Sequence, residues 1–189
     1  KLDGATFTAS AVTVPAHLDI VSMAEYGPFL ALLCAPIDIG GRSVLFLWGR
    51  DTSIVEMDEA IDVGEGAGLV LENVQGRLVI ISAPTTIAAS AVDFYPTIVF
   101  REYAGGQPNV VFELRWENTT APTTVLLQNL KAKRNDDLYF AASMYIENKT
   151  VNQVWRCGYN EQGQFFVTPD RLANNDTALT GGIDGLDII

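Results

Sequence analysis

The sequence predicts an all-β fold made of tandem four-stranded units. Three observations predict it. Short runs of β-branched and aromatic residues recur along all 189 residues, turn-forming residues separate these runs, and the pattern of apolar residues repeats. No stretch of the chain shows convincing helical periodicity. A β-sandwich or jelly roll is the alternative, because regular short strands suit those folds as well.

The clearest strand-forming runs lie between turn residues such as Gly40-Gly41 and Gln75-Gly76. They predict strands at Phe29–Ala35, Ser43–Trp48, Leu69–Glu72, Arg77–Ser82, Thr97–Tyr103, Val110–Trp116, Thr123–Leu127, Leu138–Tyr145, Val151–Tyr159 and Gln164–Thr168. Glu56–Val63 comes nearest to a helix, but Ile54-Val55 before it and a glycine-rich turn after it favour a strand and a turn.

The repeat is clearest where Leu18–Ile37 is aligned with Leu127–Ile146 without a gap. Apolar residues then coincide at Leu18/Leu127, Val21/Leu130, Met23/Ala132, Phe29/Leu138, Ala31/Phe140, Leu32/Ala141 and Ile37/Ile146. Further along, Val44–Trp48 matches Val151–Trp155, which makes Trp48 and Trp155 equivalent and predicts that both fill the core. A repeat of this length favours an architecture of stacked, similar units.

Phrases similar to the strand that begins at Leu18 recur near Leu78, Leu127 and Leu186, and we interpret them as unit starts. The single all-β region 1–189 then contains blades over 18–77, 78–126 and 127–185, with the start of a next blade at 186–189. Units of this length suit the four-stranded blades of a β-propeller, which need roughly 40–50 residues before longer loops are added.

Three blades and the start of a fourth form an incomplete propeller, because typical propellers close with four to eight blades. We therefore expect further blades from the same or another chain, in an oligomeric assembly. The chain begins at Lys1 with no signal-peptide pattern after it, and Gly185–Ile189 resembles the start of a strand. These ends predict a piece of a longer chain.

The composition excludes some function classes. A formal net charge of −11 repels phosphate backbones, so nucleic acid is not a predicted partner. Membrane insertion is not predicted, because no apolar run approaches the roughly 20 residues that a spanning helix needs. Two cysteines, Cys34 and Cys157, cannot build a disulfide framework, and buried thiols are the favoured interpretation over a single bridge.

The sequence predicts no catalytic residue, no metal site and no cofactor. The only histidine, His17, lies at a predicted strand start and is interpreted as structural. No glycine-rich loop has the lysine that phosphate binding needs. The densest acidic run lacks the spacing of a known calcium loop and is interpreted as a solvated surface. That run consists of Glu56, Asp58, Glu59, Asp62 and Glu65.

A carbohydrate-active propeller enzyme is an alternative function, because such enzymes place paired carboxylates around a central channel. Asp19, Asp51 and Asp187 lie near predicted strand ends and are its candidate residues. The Asp box of sialidases and the signatures of WD repeats are absent from the sequence.

Ligand-binding and glycosylation candidates lie near predicted loops. Tyr95, Tyr103 and Tyr159 are candidate ligand-binding residues, since exposed aromatic rings stack on sugars. Three sequons begin at Asn118, Asn148 and Asn175, and they matter only if a eukaryotic cell secretes the chain. A secreted eukaryotic binding domain is therefore a further alternative.

The segment Phe29–Asp51, with Gly76–Ser82 and Asp170–Asp176, resembles repetitive propeller-like structural proteins of tailed phages and prophages. The features concerned are a strand ending in Phe-Leu-Trp-x-Arg-Asp and strand starts of the form Val-x-Gly-x-Leu-Val. The resemblance implies a non-enzymatic structural or receptor-binding propeller in a virion tail, fibre or surface, or in another extracellular assembly. A cell-surface glycan is one candidate receptor, which the sequence does not identify further, and the resemblance assigns no catalytic residue.

Overall fold

The computed structural model describes residues 14–37, 42–49, 61–64, 67–83, 97–115, 124–146 and 149–169. Within these ranges the chain forms twelve strands and no helix, so the predicted all-β class is confirmed. The strands form three four-stranded antiparallel sheets, and in each sheet the strands follow sequence order. In the described ranges no sheet closes on itself.

Each sheet is a run of consecutive hairpins. Sheet 1 contains β1 (Leu18–Tyr26), β2 (Phe29–Pro36), β3 (Ser43–Gly49) and β4 (Ile61–Gly64). Sheet 2 contains β5 (Ala67–Val74), β6 (Arg77–Ala83), β7 (Thr97–Tyr103) and β8 (Asn109–Arg115). Sheet 3 contains β9 (Thr124–Arg134), β10 (Asp137–Ile146), β11 (Lys149–Tyr159) and β12 (Phe165–Pro169). Each strand that the sequence predicts overlaps one of these strands.

The first hairpin of every sheet turns through two residues: Gly27-Pro28, Gln75-Gly76 and Asn135-Asp136. In the second turn φ is 52° at Gln75 and 84° at Gly76, and in the third turn it is 51° at Asn135 and 64° at Asp136. That is the geometry of type I′ turns, whose twist matches that of the flanking strands. In the first turn only Gly27 has positive φ, at 56°, as expected for a type II′ turn.

The first strand of each sheet also carries a bulge at the same distance before that turn. The bulges lie at Val21 in β1, at Leu69 in β5 and within residues 128–130 of β9. A bulge adds unpaired backbone, bends the strand and increases its twist. Because turn and bulge recur together, the three sheets are copies of one structural unit, and the predicted repeat is confirmed.

The register of the repeat differs from the sequence alignment. The turns make Leu30, Leu78 and Leu138 equivalent, whereas the gapless alignment paired Phe29 with Leu138, one residue away. The β9 bulge is also longer than the β1 bulge, so no gapless alignment fits both strands of the hairpin. Alternation could not reveal the error, because these second strands are apolar on both faces.

The predicted equivalence of Trp48 and Trp155 is wrong for the same reason. Trp48 pairs with Leu30 across its hairpin, and the residue in that place in sheet 3 is Cys157, which pairs with Leu138. The unit start predicted near Leu78 lies in β6, the second strand of sheet 2. The first strand of that sheet, β5, begins at Ala67.

Sheet 2 lies between sheets 1 and 3, and apolar side chains fill both interfaces. The first core, between sheets 1 and 2, includes Ala31, Leu33, Leu45, Leu71, Leu78, Ile80 and Tyr103. The second core, between sheets 2 and 3, includes Val79, Ile81, Phe100, Leu138, Phe140, Trp155 and Cys157. A third group, the outer cluster of sheet 1, consists of Leu18, Leu32, Cys34 and Phe46 on the face turned away from sheet 2.

Both cysteines are free and fully buried, which agrees with the buried-thiol interpretation. Burial raises the pKa of the Cys34 thiol to about 11, with the nearby Asp19 carboxylate contributing to the shift. Burial also raises the pKa of Cys157. In the described ranges, no helix has the length and apolar character to span a bilayer.

Candidate functional site

The first strands of the three sheets, β1, β5 and β9, approach one another, and polar side chains connect them. Leu71 N of β5 donates to the buried Ser22 Oγ of β1 at 3.1 Å, and Ser22 Oγ in turn lies 3.4 Å from Leu71 O. We call Ser22, Glu72, Asn73, Lys131 and Lys133 the inner-strand cluster. Its members come from all three sheets, so it is the place where the sheets are joined by polar contacts.

Lys131 is the centre of this cluster. Its Nζ donates to Met23 O of β1 at 2.7 Å and also to Leu71 O of β5. It forms an ion pair with Glu72 at 3.1 Å, and both side chains are largely shielded, at 22% and 20% exposure. An ammonium group has three protons. Two of them are donated to backbone carbonyls and the charge is paired with Glu72, so one side chain of sheet 3 contacts both other sheets.

A second chain of contacts runs parallel to the first. Lys133 Nζ donates to Asn73 O at 2.7 Å, and Asn73 Nδ2 donates to Glu25 O of β1 at 2.8 Å. Asn73 Oδ1 accepts from Gly76 N at 2.9 Å, which also holds the turn of the second sheet. The side chains thus satisfy backbone carbonyls at strand edges that pair with no other strand in the described ranges.

A second polar group lies at one end of the second core. Glu102 Oε2 accepts from Tyr159 OH at 2.6 Å and from Arg77 Nη1 at 3.1 Å. The Arg77 guanidinium also lies 4.5 Å from the centre of the Tyr159 ring. Burial raises the pKa of Tyr159, and its hydrogen bond to the Glu102 carboxylate raises it further. The Glu102 hydrogen bond likewise raises the pKa of Arg77.

A third polar group lies on the face of sheet 3 turned away from sheet 2. The Asp137 carboxylate is buried and accepts from Arg156 Nε at 2.7 Å. It lies directly against Gly158, so a side chain at that position would collide with it. The Arg156 guanidinium also lies 5.4 Å from the centre of the Phe166 ring.

These three groups share one chemical property: each carboxylate faces a cation or a hydroxyl instead of a second carboxylate. Such pairs stabilise the charged carboxylate and are suited to holding strands together. In the described ranges, no group of three or more His, Cys, Asp or Glu side chains could hold a metal ion. The first two groups link neighbouring sheets, and the third links two strands of sheet 3.

The candidate ligand-binding tyrosines fall in different places. Tyr103 is 7% exposed and packs edge-on against Tyr26, with ring centres 5.9 Å apart. Tyr159 is 6% exposed and contacts Phe165 and Glu102. Tyr95 lies outside the described residues. Burial leaves Tyr103 and Tyr159 little ring surface for stacking on a sugar, and a ligand-binding role for the three stays a prediction.

Several other candidates lie outside the described residues. They are the sequon residues Asn118, Asn148 and Asn175, the carboxylates Asp51 and Asp187, and Glu56, Asp58, Glu59 and Glu65 of the acidic run. Three others are described. His17 and Asp19 are exposed, and Asp62 forms an ion pair with Arg42 at 2.8 Å.

Sequence reasoning missed the inner-strand cluster. The available signal was Lys131-Ala132-Lys133, two lysines at alternate positions of a strand, which therefore lie on the same face. Lys131 of sheet 3 is equivalent to Met23 of sheet 1 and Leu71 of sheet 2. These residues pair with Phe140, Leu32 and Ile80, which occupy the same position in the second strand of each sheet. No family model, curated protein or solved structure matches this chain.

Proposed function

We propose that the three sheets are consecutive blades of an incomplete β-propeller. We further propose that the chain is a non-enzymatic structural or receptor-binding part of a virus particle or another extracellular assembly. The observation that carries the proposal is the threefold recurrence of one unit, with a two-residue turn and a bulge at equivalent positions, in sheets that pack face to face. The first strands of these units are joined by the inner-strand cluster.

The strand order within the sheets supports the propeller. In a propeller, four-stranded sheets surround a central channel, so one edge strand of each sheet lies nearest the axis. Here the equivalent strands β1, β5 and β9 are edge strands that approach one another. A sandwich would instead be expected to place strands of two sheets in two layers, whereas here sheet 2 has a packed core on each face.

The ion pairs of the described carboxylates favour a structural role for the chain over an enzymatic one. Glu72, Glu102 and Asp137 each pair with a cation of a neighbouring strand or sheet. Paired glycosidase carboxylates would instead face each other across a substrate, about 5–10 Å apart. Carboxylates engaged in structural ion pairs have less freedom to transfer protons or to act as nucleophiles.

Receptor binding would come from loops displayed at the ends of a rigid sheet scaffold. Many copies on a particle would add weak contacts, for example to a cell-surface glycan, into strong attachment. The resemblance of Phe29–Asp51 to phage structural proteins supports placing the chain in a virion.

Mass spectrometry of sedimented native source material tests the assembly role. Particles are banded by density, and peptides of the chain are quantified in each fraction against a soluble marker protein. We expect the peptides to follow the particle band after a high-salt wash, which removes adsorbed acidic proteins. Peptides that remain in the soluble fraction would contradict the virion role.

An activity assay tests the non-enzymatic part. The purified chain is incubated with a panel of glycans, and both retention and released sugar are measured. We expect binding or no effect, with no turnover. Release of sugar that disappears in Asp19→Asn, while the folded signal is kept, would contradict the proposal, because Asp19 is an exposed candidate carboxylate.

A further inference from the structure

Sheet 2 carries a cation at a position where the other two sheets carry a buried aromatic ring. Arg101 of β7 pairs with Ile80, at the place that Phe46 and Trp155 occupy in the third strands of sheets 1 and 3. Phe46 and Trp155 are 3% and 7% exposed, and Arg101 is partly exposed. The apolar pattern of the repeat is thus broken at one position, and such a break is typical of a functional site.

The Arg101 guanidinium is held in place by a buried hydroxyl. Its Nη1 donates to Ser82 Oγ at 2.6 Å, and Ser82 Oγ donates in turn to Val99 O at 3.4 Å. A guanidinium has five N–H donors. Among the described residues, the Ser82 hydroxyl is the one acceptor bonded to them. Ser82 is 1% exposed, so it fixes the orientation of a cation whose charge it does not neutralise.

Two carboxylates and a second guanidinium lie near Arg101. Burial lowers the pKa of Arg101, Asp62 and Glu113 raise it, and Arg42 lowers it further. Asp62 forms its ion pair with Arg42, at 2.8 Å. The two positive and two negative groups balance, so a phosphate with two charges does not suit them. A ligand with one carboxylate and several hydroxyls does, since a guanidinium binds carboxylate and a carboxylate accepts from hydroxyls.

This end of the interface between sheets 1 and 2 is open to solvent. Val99 and Arg101 are partly exposed, whereas the residues that alternate with them in β7 are fully buried. Asp62 of β4 and Glu113 of β8 are exposed. The four side chains lie on the third and fourth strands of their sheets, away from the inner-strand cluster. A ligand can therefore reach the guanidinium without separating the sheets.

We propose that Arg101, oriented by Ser82, binds the carboxylate of an acidic sugar. The planar fork of a guanidinium matches the two oxygens of a carboxylate, and Asp62 and Glu113 accept from the sugar hydroxyls. A carboxylate oxygen has two lone pairs, so the pairing of Asp62 with Arg42 leaves it able to accept. This inference rests on the proposed receptor binding and gives the receptor a chemical class, a glycan that contains a sugar acid.

Binding of matched sugars tests the ligand class. The probes are oligosaccharides that end in glucuronate or N-acetylneuraminate, each compared with the same oligosaccharide after its carboxylate is reduced to an alcohol. We expect at least one acidic probe to bind, and its reduced form to bind about tenfold more weakly or worse, because a charged hydrogen bond is lost. Equal binding of the two forms, or binding of neither, would overturn the inference.

Variants test the residue. Arg101→Leu should abolish the preference for the carboxylate, and Arg101→Lys should weaken it, because an ammonium keeps the charge but lacks the planar fork. Arg134→Leu is the matched control, since Arg134 is an exposed arginine of another sheet, and it should bind as the unchanged protein does. An Arg101→Leu protein that still prefers the acidic form would overturn the assignment.

Stability distinguishes a binding role of Arg101 from a structural one. A cation at a core position with one hydroxyl acceptor costs stability, and functional residues commonly carry such a cost. Arg101→Phe restores the aromatic residue of the equivalent positions, and together with Arg101→Leu it should raise the midpoint of urea denaturation. A lower midpoint in both variants would assign Arg101 a structural role and overturn the inference.

Particle sedimentation separates this inference from the proposed function. If the chain follows the particle band and shows no preference for carboxylates, the assembly role stands and the acidic-sugar site is wrong. If the chain stays soluble and still binds the acidic probes through Arg101, the site stands and the virion role is wrong.

Discussion

The two cores join equivalent faces of similar sheets, yet they are filled differently. The first core is mostly aliphatic, and among the described residues it has one aromatic contact, the pair Tyr26 and Tyr103. The second core is aromatic at its centre. The ring of Phe100 lies 5.8 Å from that of Phe112, 5.6 Å from that of Phe140 and 5.7 Å from that of Phe165.

The difference shows that the backbone unit does not depend on one set of core side chains. Phe100 pairs with Ile81 in sheet 2, and at the equivalent position of sheet 1 Leu45 pairs with Leu33. The central position therefore holds a phenyl ring in the second core and an isobutyl group in the first. The second core accommodates the larger rings beside small residues such as Ala142. The turn and the bulge recur in every sheet, whereas the core side chains differ. In each core a larger side chain lies beside smaller ones, as dense packing requires.

The largest effect that this comparison predicts is for Phe100. Phe100→Ala should lower the free energy of unfolding by about 3–5 kcal/mol, because it leaves a cavity among three rings. Leu45→Ala, at the equivalent position of the first core, should cost less, toward the lower end of about 2–5 kcal/mol. Equilibrium urea denaturation of both variants measures the difference. An equal or larger loss for Leu45→Ala would show that the aromatic cluster adds no stability beyond an aliphatic core.

The next effect concerns the contacts that cross the second interface. Lys131→Met keeps the length of the side chain and removes its charge. It should cost about 1.5–3 kcal/mol, because two carbonyls and Glu72 lose a charged donor. Lys133→Met is the control and should cost less, since Lys133 is more exposed and donates to one carbonyl. Thermal and urea unfolding measure both losses. An equal loss for the two variants would mean that the additional contacts of Lys131, with Met23 O and with Glu72, contribute nothing.

The outer face of sheet 3 gives a smaller effect. Gly158→Ala places a methyl group against the Asp137 carboxylate and should displace it from Arg156. We expect a loss of about 1–3 kcal/mol, as for other overpacked sites. In an Asp137→Ala background the same change should cost much less, because the colliding group is gone. A double-mutant cycle by urea denaturation measures this coupling, and additive losses would refute the steric explanation.

The sequence allowed the strands to be predicted, because β-branched and aromatic runs lie between strong turn residues. It did not allow the register of the repeat to be predicted. Leu30-Ala31-Leu32-Leu33 and Leu78-Val79-Ile80-Ile81 are apolar on both faces, since sheets 1 and 2 each have an apolar cluster on both sides. Alternation therefore could not distinguish the correct alignment from one shifted by a residue.

The inner-strand cluster could be predicted only in part. Two alternate lysines in a strand are visible in the sequence, but their acceptors are backbone carbonyls of other sheets, which leave no mark on side-chain identity. The sequence predicts Tyr159 as a ligand-binding candidate because it lies beside a turn. Its position in the chain does not reveal that its ring points inward, where it contacts Phe165 at 5.2 Å between ring centres.

The smallest effect tests the polar end of the second core, which has no counterpart among the contacts described for the first. The unfolded chain should titrate Tyr159 near pH 10, whereas burial and the Glu102 hydrogen bond raise the pKa of Tyr159 in the folded protein. Below about pH 10 both states keep the phenol proton, so the hydrogen bond contributes fully. Above that pH the unfolded state loses its proton first, and stability must fall as pH rises.

Tyr159→Phe isolates this contribution. At pH 7 the variant should be less stable by about 0.5–1.5 kcal/mol, because the hydrogen bond to Glu102 is lost. Between pH 9 and pH 11 the gap should narrow, by up to about 1.4 kcal/mol per pH unit once the unfolded phenol is ionised. Urea denaturation at each pH gives the difference, and subtraction cancels the titration of the other tyrosines. A gap that stays constant across this range would mean that the phenol of Tyr159 titrates at the same pH in both states, and that the contact with Glu102 does not hold its proton.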